Sequence, residues 1–422
     1  PSWCSFLRPR PPPMRRCCAP LGVLLAASTT QSLSFTAQSR LSRVHPARRT
    51  APPTLGAIAL LAEQLEVVRS IRPADDSAEV QFKLWENAGL NPTYKVSGSI
   101  SGEPSYTRLF SHADWREYSG TEPLERWMRA IVTWRYSTVL RALWKLSLLA
   151  ALWAYAVASL PAALLPRTSP VPMSLFGQAL GLLLVFRTNN TYQRLAEART
   201  LWGRAIYLTR EVAQGVATAL LFDRRVASKE EEMEGAAEGA AASCRYLAAF
   251  SWELNAKLTG PTLPDDILRA LFTAEEAEWM AAQRSRPLQL LGALRRALHA
   301  QWREGNLPTH VHRKLEENVS ELNLVASSCE RLFSSPVPPT MSRHVVRCMV
   351  LWLFGLPLVL AGTMAPSAVG FWVFVTSYVF IGIEEVGVQV EQPFEIVPMT
   401  QLCRLIMANL EEAFLQRPPP GM

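Results

Sequence analysis

The chain has 422 residues, about half of them hydrophobic and only 19% charged, against roughly 25% charged in soluble globular domains. The net charge of +7 is lopsided: residues 1–62 hold eight Arg and no Asp or Glu, and the remainder is close to neutral. The basic balance therefore argues for targeting rather than for nucleic acid, and no nucleic-acid partner is expected. Cys4, Cys17, Cys18, Cys244, Cys329, Cys348 and Cys403 show no CxxC and no zinc spacing with histidine. They read as free thiols in a reducing compartment, not as a disulfide framework. His310 and His312 are two apart and fall on different faces of a helix, so no metal is expected there.

Residues 1–55 are rich in Arg, Ser, Ala and Pro, the composition of an organelle transit peptide. Within them Pro20–Ser28, "PLGVLLAAS", is an apolar core behind Arg15 and Arg16, too short to cross a bilayer. Met14 is a candidate start, and Ser32–Arg43 reads as a cleavage zone before a second basic segment. A signal peptide followed by a transit peptide, with Phe near the junction, resembles the bipartite leader of algae with secondary plastids. An ordinary disordered N-terminus is the other reading. The expectation is a leader over 1–55, then an extension over 56–123. In that extension Leu55–Arg72 is a short amphipathic helix and 73–120, rich in Ser, Gly, Pro and Asp, is loop-like.

Four apolar runs follow: Leu146–Leu165, Ser169–Phe186, Cys348–Met364 and Ser367–Ile383. Each has about the length that a helix needs to cross roughly 30 Å of hydrocarbon. The linkers within each pair look like three or four residues, which implies helical hairpins over 124–186 and 343–392. Arg126, Arg129, Arg135, Arg141 and Lys145 precede the first run, Arg187, Arg194, Arg199 and Arg204 follow the second, and Arg343 and Arg347 precede the third. The hairpin tips carry only Arg167. Basic loops stay on one side of the membrane, so both termini and 187–342 share that side, the stroma if the membrane is a plastid's.

Residues 187–342 show 3.6-residue periodicity and almost no strand signal, as expected of a soluble helical domain. The stretch from Glu211 reads as a helix pair with an acidic break at Glu230–Glu234. A helix capped by Thr262 or Asp265 follows, then one capped by Thr309 behind Pro308. Residues 393–422 form a C-terminal tail. The fold class is an all-α membrane protein: two transmembrane hairpins, four spans, and a helical domain on one side.

The run "LLLVFRTNNTYQRLAEARTLWG" (Leu182–Gly203) passes from lipid-grade apolarity to polar sequence at Arg187 without a turn residue. A helix that leaves the bilayer and continues into water needs no turn. "VFRTNNTYQRLAEARTLWG", "CERLFSSPVPPTMSRHVVRC" and "IGIEEVGVQVEQPFE" resemble, in order and spacing, three blocks of the bestrophin family. The similar branch is the bacterial and plastid one, with thylakoid voltage-dependent chloride channels and algal bicarbonate channels. "RWMRAIVTWRYSTVLRALWKL" resembles the family's entry into the first span, with Tyr136 in place of the usual small residue. The resemblance covers about Leu124–Leu415.

It implies a homopentamer in a lipid bilayer whose second spans line one pore. The neck falls on Gln178, Leu182 and Phe186, one per helical turn, each becoming a ring of five. Rings of Leu and Phe make a constriction that gates by dewetting, and ring edges weakly stabilise an anion. Gln178 departs from the family's apolar residue and makes the neck wetter. Arg187, Asn189 and Asn190 stand at the pore entrance, where Arg187 is either a cation that concentrates anions or a snorkelling interface arginine. Arg194, Glu197 and Arg199 read as ion pairs within or between subunits. Pro336, Pro338 and Pro339 end the helix at Ser334–Ser335 and build an elbow into the third span, with Glu330 and Arg331 paired there. At the inner end of the fourth span, Glu384 and Glu385 are functional candidates or interface acids paired with Arg343 or Arg347. After Pro393 and Phe394 only Glu395 remains where animal relatives clasp calcium, so no calcium regulation is expected.

The chain carries no HExxH, GxSxG, P-loop or GxGxxG, so no catalytic residue, metal or cofactor is assigned. The expected function is an anion channel passing chloride, bicarbonate or nitrate across a plastid membrane, the thylakoid first. The alternative is a non-conducting scaffold that anchors the helical domain. A secondary transporter would need inverted repeats and broken spans, and four spans offer neither.

Overall fold

A computed structural model of the chain describes residues 55–70, 112–132, 134, 137–161, 163–166, 169–222, 230–260 and 266–415. They belong to one folded unit, Ala51–Met422. The expected leader as far as residue 54, Arg135, Tyr136, Arg167 and the two cap candidates Thr262 and Asp265 lie outside the described residues, as does most of the loop-like extension. Within that extension, α1 (Leu55–Ser70) is the expected helix. His112–Gly120, expected as loop, is a second helix, α2. α3 (Pro123–Val132) follows.

The first span is α4 (Thr138–Ala158), displaced toward the N-terminus from the expected 146–165. The Ser137 hydroxyl caps it by accepting from the Leu140 amide at 3.3 Å. It stops at Ser159, ahead of Pro161, because the position before a proline resists helical geometry. Residues 159–170 therefore connect it to the second span, a longer link than the three or four residues expected.

That second span is the upper part of α5 (Val171–Ala217), a 47-residue helix extended by a π-turn over Thr218–Phe222. At 1.5 Å per residue it is about 70 Å long, more than twice the hydrocarbon thickness. It runs through Arg187 unbroken, as the missing turn residue required. α6 (Glu230–Thr259) comes next, so the acids Glu230–Glu234 open a helix rather than interrupt one. That is the end where the helix dipole favours carboxylates.

Three helices follow: α7 (Asp266–Leu271), α8 (Ala274–Ala281) and α9 (Arg286–Arg303). α10 (Thr309–Ser334) then starts on Pro308 without a side-chain cap. The Thr309 hydroxyl does not cap the helix as expected; it accepts from the Trp302 indole N–H at 3.2 Å. The proline elbow stands where the sequence puts it, with Ser335 at the helix end and α11 (Pro339–Leu360) beginning after Pro338. α12 (Pro366–Glu391), α13 (Pro393–Ile396) and α14 (Met399–Leu415) complete the chain.

Among the described residues four stretches are long and apolar enough to cross a membrane: Val139–Ala158, the upper part of α5, the run ending at Leu360, and Pro366–Glu391. Within one chain only 17% of the apolar window is buried in the first two and 28% in the others. Lipid or further copies must cover the rest. The two hairpins hold in chain order, but α4 packs most extensively against α12 and then α11, with no extensive contact to α5. Small residues explain that choice, since hydrophobicity does not drive helices together in lipid. A Cβ on Gly370 would lie 3.2 Å from the Ala151 carbonyl oxygen, and buried Ala154 meets Val369 and Val373.

The lower half of α5 forms the spine of the soluble domain. Trp202, Ala205, Leu208, Val212 and Val216 recur every three or four residues and are buried with Leu315, Val319 and Leu322 of α10 and Ile406 and Leu410 of α14. Fully burying a leucine is worth about 1.5–3 kcal/mol, so this periodic face holds the rod to its domain.

Candidate functional site

The upper half of α5 has two unlike faces. Leu180, Leu184, Arg187 and Thr191 are buried against the neighbouring spans, spaced four, three and four residues apart. Leu180 and Leu184 pack with Val345, Met349, Trp352 and Leu353 of α11. Gly177 makes room for the Trp352 indole: a Cβ there would sit 3.1 Å from its Nε1, which donates to the Met173 carbonyl at 3.0 Å.

The opposite face has no partner among the described residues. Leu182 is 56% exposed and Phe186 53%, and Gln178, Asn189 and Asn190 are exposed too. Helical geometry places Gln178, Leu182, Phe186 and Asn189 on one strip, with Asn190 on its flank. Gln178 and Phe186 stand about 12 Å apart along the axis. The strip continues outward to Leu175 and Val171, both about 60% exposed. Neither stood among the residues singled out by the four-residue spacing, although steps of three and four residues from Gln178 reach both.

Arg187 is not on that strip. Its side chain is 2% exposed and forms an ion pair with Glu384 of α12. Both alternatives for this residue are thus corrected: it neither faces an aqueous entrance nor snorkels to headgroups. The reason is angular, because Arg187 shares the packed face with Leu184 and Thr191. Gly387, one turn beyond Glu384, has no side chain to obstruct it; a Cβ there would lie 3.8 Å from Arg187 Nε. The same pair corrects the expected partners of Glu384, which is held by Arg187 and not by Arg343 or Arg347. Its neighbour Glu385 accepts instead from the Gln389 amide at 3.1 Å.

Two turns further along α5, Arg194 differs from its expected role in an ion pair. It donates to three main-chain carbonyls, Leu332 and Ser335 at 2.7 Å and Glu391 at 3.4 Å. The first two terminate α10, so Arg194 satisfies carbonyls that the end of a helix leaves open. Glu391 in turn accepts the Val337 amide at 3.2 Å. One arginine and one glutamate thereby lock the elbow between Pro336 and Pro338 to α5 and α12. Glu197 does form an ion pair, with Arg331 at 2.9 Å, and Glu330 pairs with Lys257 of α6 at 2.5 Å. Glu330 and Arg331 thus each bind another helix rather than each other. Arg199 is exposed.

Among the described residues no group of three or more His, Cys, Asp or Glu is placed to hold a metal ion. The arrangement is that of a rod clamped on one side by ionic and apolar contacts and bare on the other. Such a face is suited to lining or gating a path shared among copies.

The family model described as Bacterial/Fungal Bestrophin protein matches residues 119–412. Among curated proteins, the chain is 31% identical over 275 residues to a "Voltage-dependent anion channel-forming protein" of Ralstonia nicotianae, covering 64% of this chain and 85% of that one. It is 28% identical over 252 residues to "Voltage-dependent chloride channel 2, chloroplastic" of Arabidopsis thaliana, covering 58% and 57% of the two chains. A crystal structure of a bacterial Bestrophin homolog from Klebsiella pneumoniae superposes with a TM-score of 0.57 at 24% identity, over 66% of this chain and all of that one. That likeness shows the fold.

Proposed function

Because the chain belongs to the bestrophin family, whose relatives here are named anion channels, we propose that it is a homopentameric anion channel rather than an enzyme. Five copies of α5 stand around one axis with the strip Val171, Leu175, Gln178, Leu182 and Phe186 toward it, and Asn189 and Asn190 at the near-side mouth. Leu182 and Phe186 form the hydrophobic neck, and Gln178 supplies amide donors within it. Chloride or bicarbonate passes, with nitrate as a further permeant. The membrane is a plastid's, the thylakoid first, with the helical domain in the stroma. The chloroplastic name of an Arabidopsis relative supports this placement, as does the acid-free, arginine-rich start of the chain.

The observation that carries the reading is the unpartnered face of α5. A helix clamped so firmly on one side, by an ion pair and by the Leu180–Leu184 cluster, leaves its other side fixed in direction. Bulky apolar groups at every turn of a fixed rod form a constriction when five rods converge. With Arg187 neutralised by Glu384, no cation of α5 stands in the narrow part to trap an anion.

The test is a bilayer recording of the purified, reconstituted protein with ion-substitution reversal potentials. Anion-selective current with measurable chloride and bicarbonate permeability is the expected result. A protein silent at every pH and voltage, or monomeric in detergent, would return the chain to the role of a membrane-anchored scaffold.

A further inference from the structure

A groove of about 600 Å³ lies between the last turns of α9 and the first turns of α10, lined by Arg295, Arg296, His299, Arg303, His312 and Glu316. Arg296, His299 and Arg303 recur three and four residues apart on one side of α9, and Arg295 lies four residues before His299. Arg295 is engaged: it donates to the Ser320 hydroxyl at 2.6 Å and lies 3.7 Å from the Glu316 carboxylate. Arg296 and Arg303 have no ion pair among the described residues and stand exposed. The only carboxylate of the lining is the one beside Arg295, so the groove is strongly cationic.

Its floor is rigid. The Trp302 indole, tied to Thr309, stacks on the His312 ring with centroids 5.3 Å apart, and His299 lies within 5.3 and 5.8 Å of the two. His312 Nε2 is buried and has no hydrogen-bond partner among the described residues. A buried ring nitrogen without a partner is a standing cost, and Arg296 and Arg303, two turns apart on one helix, add like charges to the same groove.

We propose that this groove binds a soluble, multiply charged phosphate anion, held by Arg296 and Arg303 and hydrogen-bonded by His312. Phosphate oxygens match the paired N–H groups of a guanidinium in two-point fashion, which a spherical chloride does not. A lipid headgroup is out of reach. His312 stands 22 residues before Ser334, where α10 turns into the membrane, about 33 Å along the helix.

The experiment titrates inorganic pyrophosphate into the purified full-length oligomer at low salt and follows heat by calorimetry. Saturable binding at one site per chain, weakening as salt rises, is expected. R296A/R303A should weaken it about tenfold or more, because two charge-assisted contacts are lost. E316Q should tighten it, since it removes the one carboxylate of the groove; a purely structural role for these residues gives no such opposite sign. Absence of saturable heat, or equal affinity in wild type and R296A/R303A, would overturn the proposal. So would a double variant that changes the oligomer's size while pyrophosphate does not bind to wild type, which would make the groove a subunit contact. None of these readouts depends on conduction.

Discussion

Arg187 of α5 and Glu384 of α12 form a buried ion pair between two spans, 197 residues apart in the chain. Among the described residues Arg187 Nε and Glu384 Oε2 have no hydrogen-bond partner, so each group depends heavily on the pair. Breaking such a pair leaves one uncompensated charge in an apolar setting, at about 3–5 kcal/mol. R187M or E384M alone should therefore lower the melting temperature of the detergent-solubilised protein by several degrees. The double variant R187M/E384M should recover most of the loss, because no lone charge remains. Size-exclusion thermal melts check this, and single variants as stable as wild type would remove the pair from the clamp.

The two faces of α5 should answer mutation differently. L184A, on the packed face, is expected to cost about 2–5 kcal/mol of stability, the range for emptying a buried leucine site. F186A and L182A, on the bare face, should leave the melt near wild type and raise single-channel conductance or weaken gating. V171A and L175A extend the series toward the far side. A bilayer recording in which F186A leaves conductance and gating unaltered would remove Phe186 from the neck.

Arg194 donates to the Leu332 and Ser335 carbonyls at the end of α10. In R194A the Leu332 and Ser335 carbonyls lose a charged donor, with an expected loss of about 1.5–3 kcal/mol. Amide exchange over the last turn of α10 and the elbow should quicken by tenfold or more. Lysine carries one compact ammonium instead of a fork, so R194K should rescue only in part. Exchange at 332–338 unchanged in R194A would refute the capping role.

Gly177 faces an indole that cannot move away without losing its bond to Met173. G177A is expected to cost about 1–3 kcal/mol through overpacking. G177A/W352F, with a smaller ring and no N–H, should recover part of it in the same melt.

Cys244 and Cys403 are fully buried, and burial pushes both thiols well above their ordinary range. Cys403 also lies 3.3 Å from the Ser251 carbonyl. Iodoacetamide at pH 8 should leave both unlabelled in the native protein and label them in denaturant, read by mass spectrometry. The sign for stability follows. Their contribution is intact below the ordinary thiol pKa and is lost as pH climbs beyond it, because the unfolded chain then releases protons that the fold retains.

Much of the architecture was legible locally. Four apolar runs, the continuous passage through Arg187 and the proline stop after Ser335 each depend on residues within one or two turns. Hydropathy, helical spacing and the geometry of proline act at that range. The start of α4 was misplaced because its first two turns carry Arg141 and Lys145, which a hydropathy reading excludes but a helix tolerates at the membrane surface. The exposed strip on α5 extends past Gln178 to Leu175 and Val171 at the helical period.

What the amino-acid order determined by itself, then, was which segments are helical, which are apolar enough for lipid, and where the rod and the elbow lie. The tertiary structure decided the partners. It buried Arg187 against Glu384, turned Arg194 from an ion pair into a helix cap, and set α4 on α12 instead of on its neighbour α5. Periodicity sorts residues onto faces of one helix, but which two faces meet depends on close approach at Gly370 and Gly387, contacts made across some two hundred residues that no local pattern encodes.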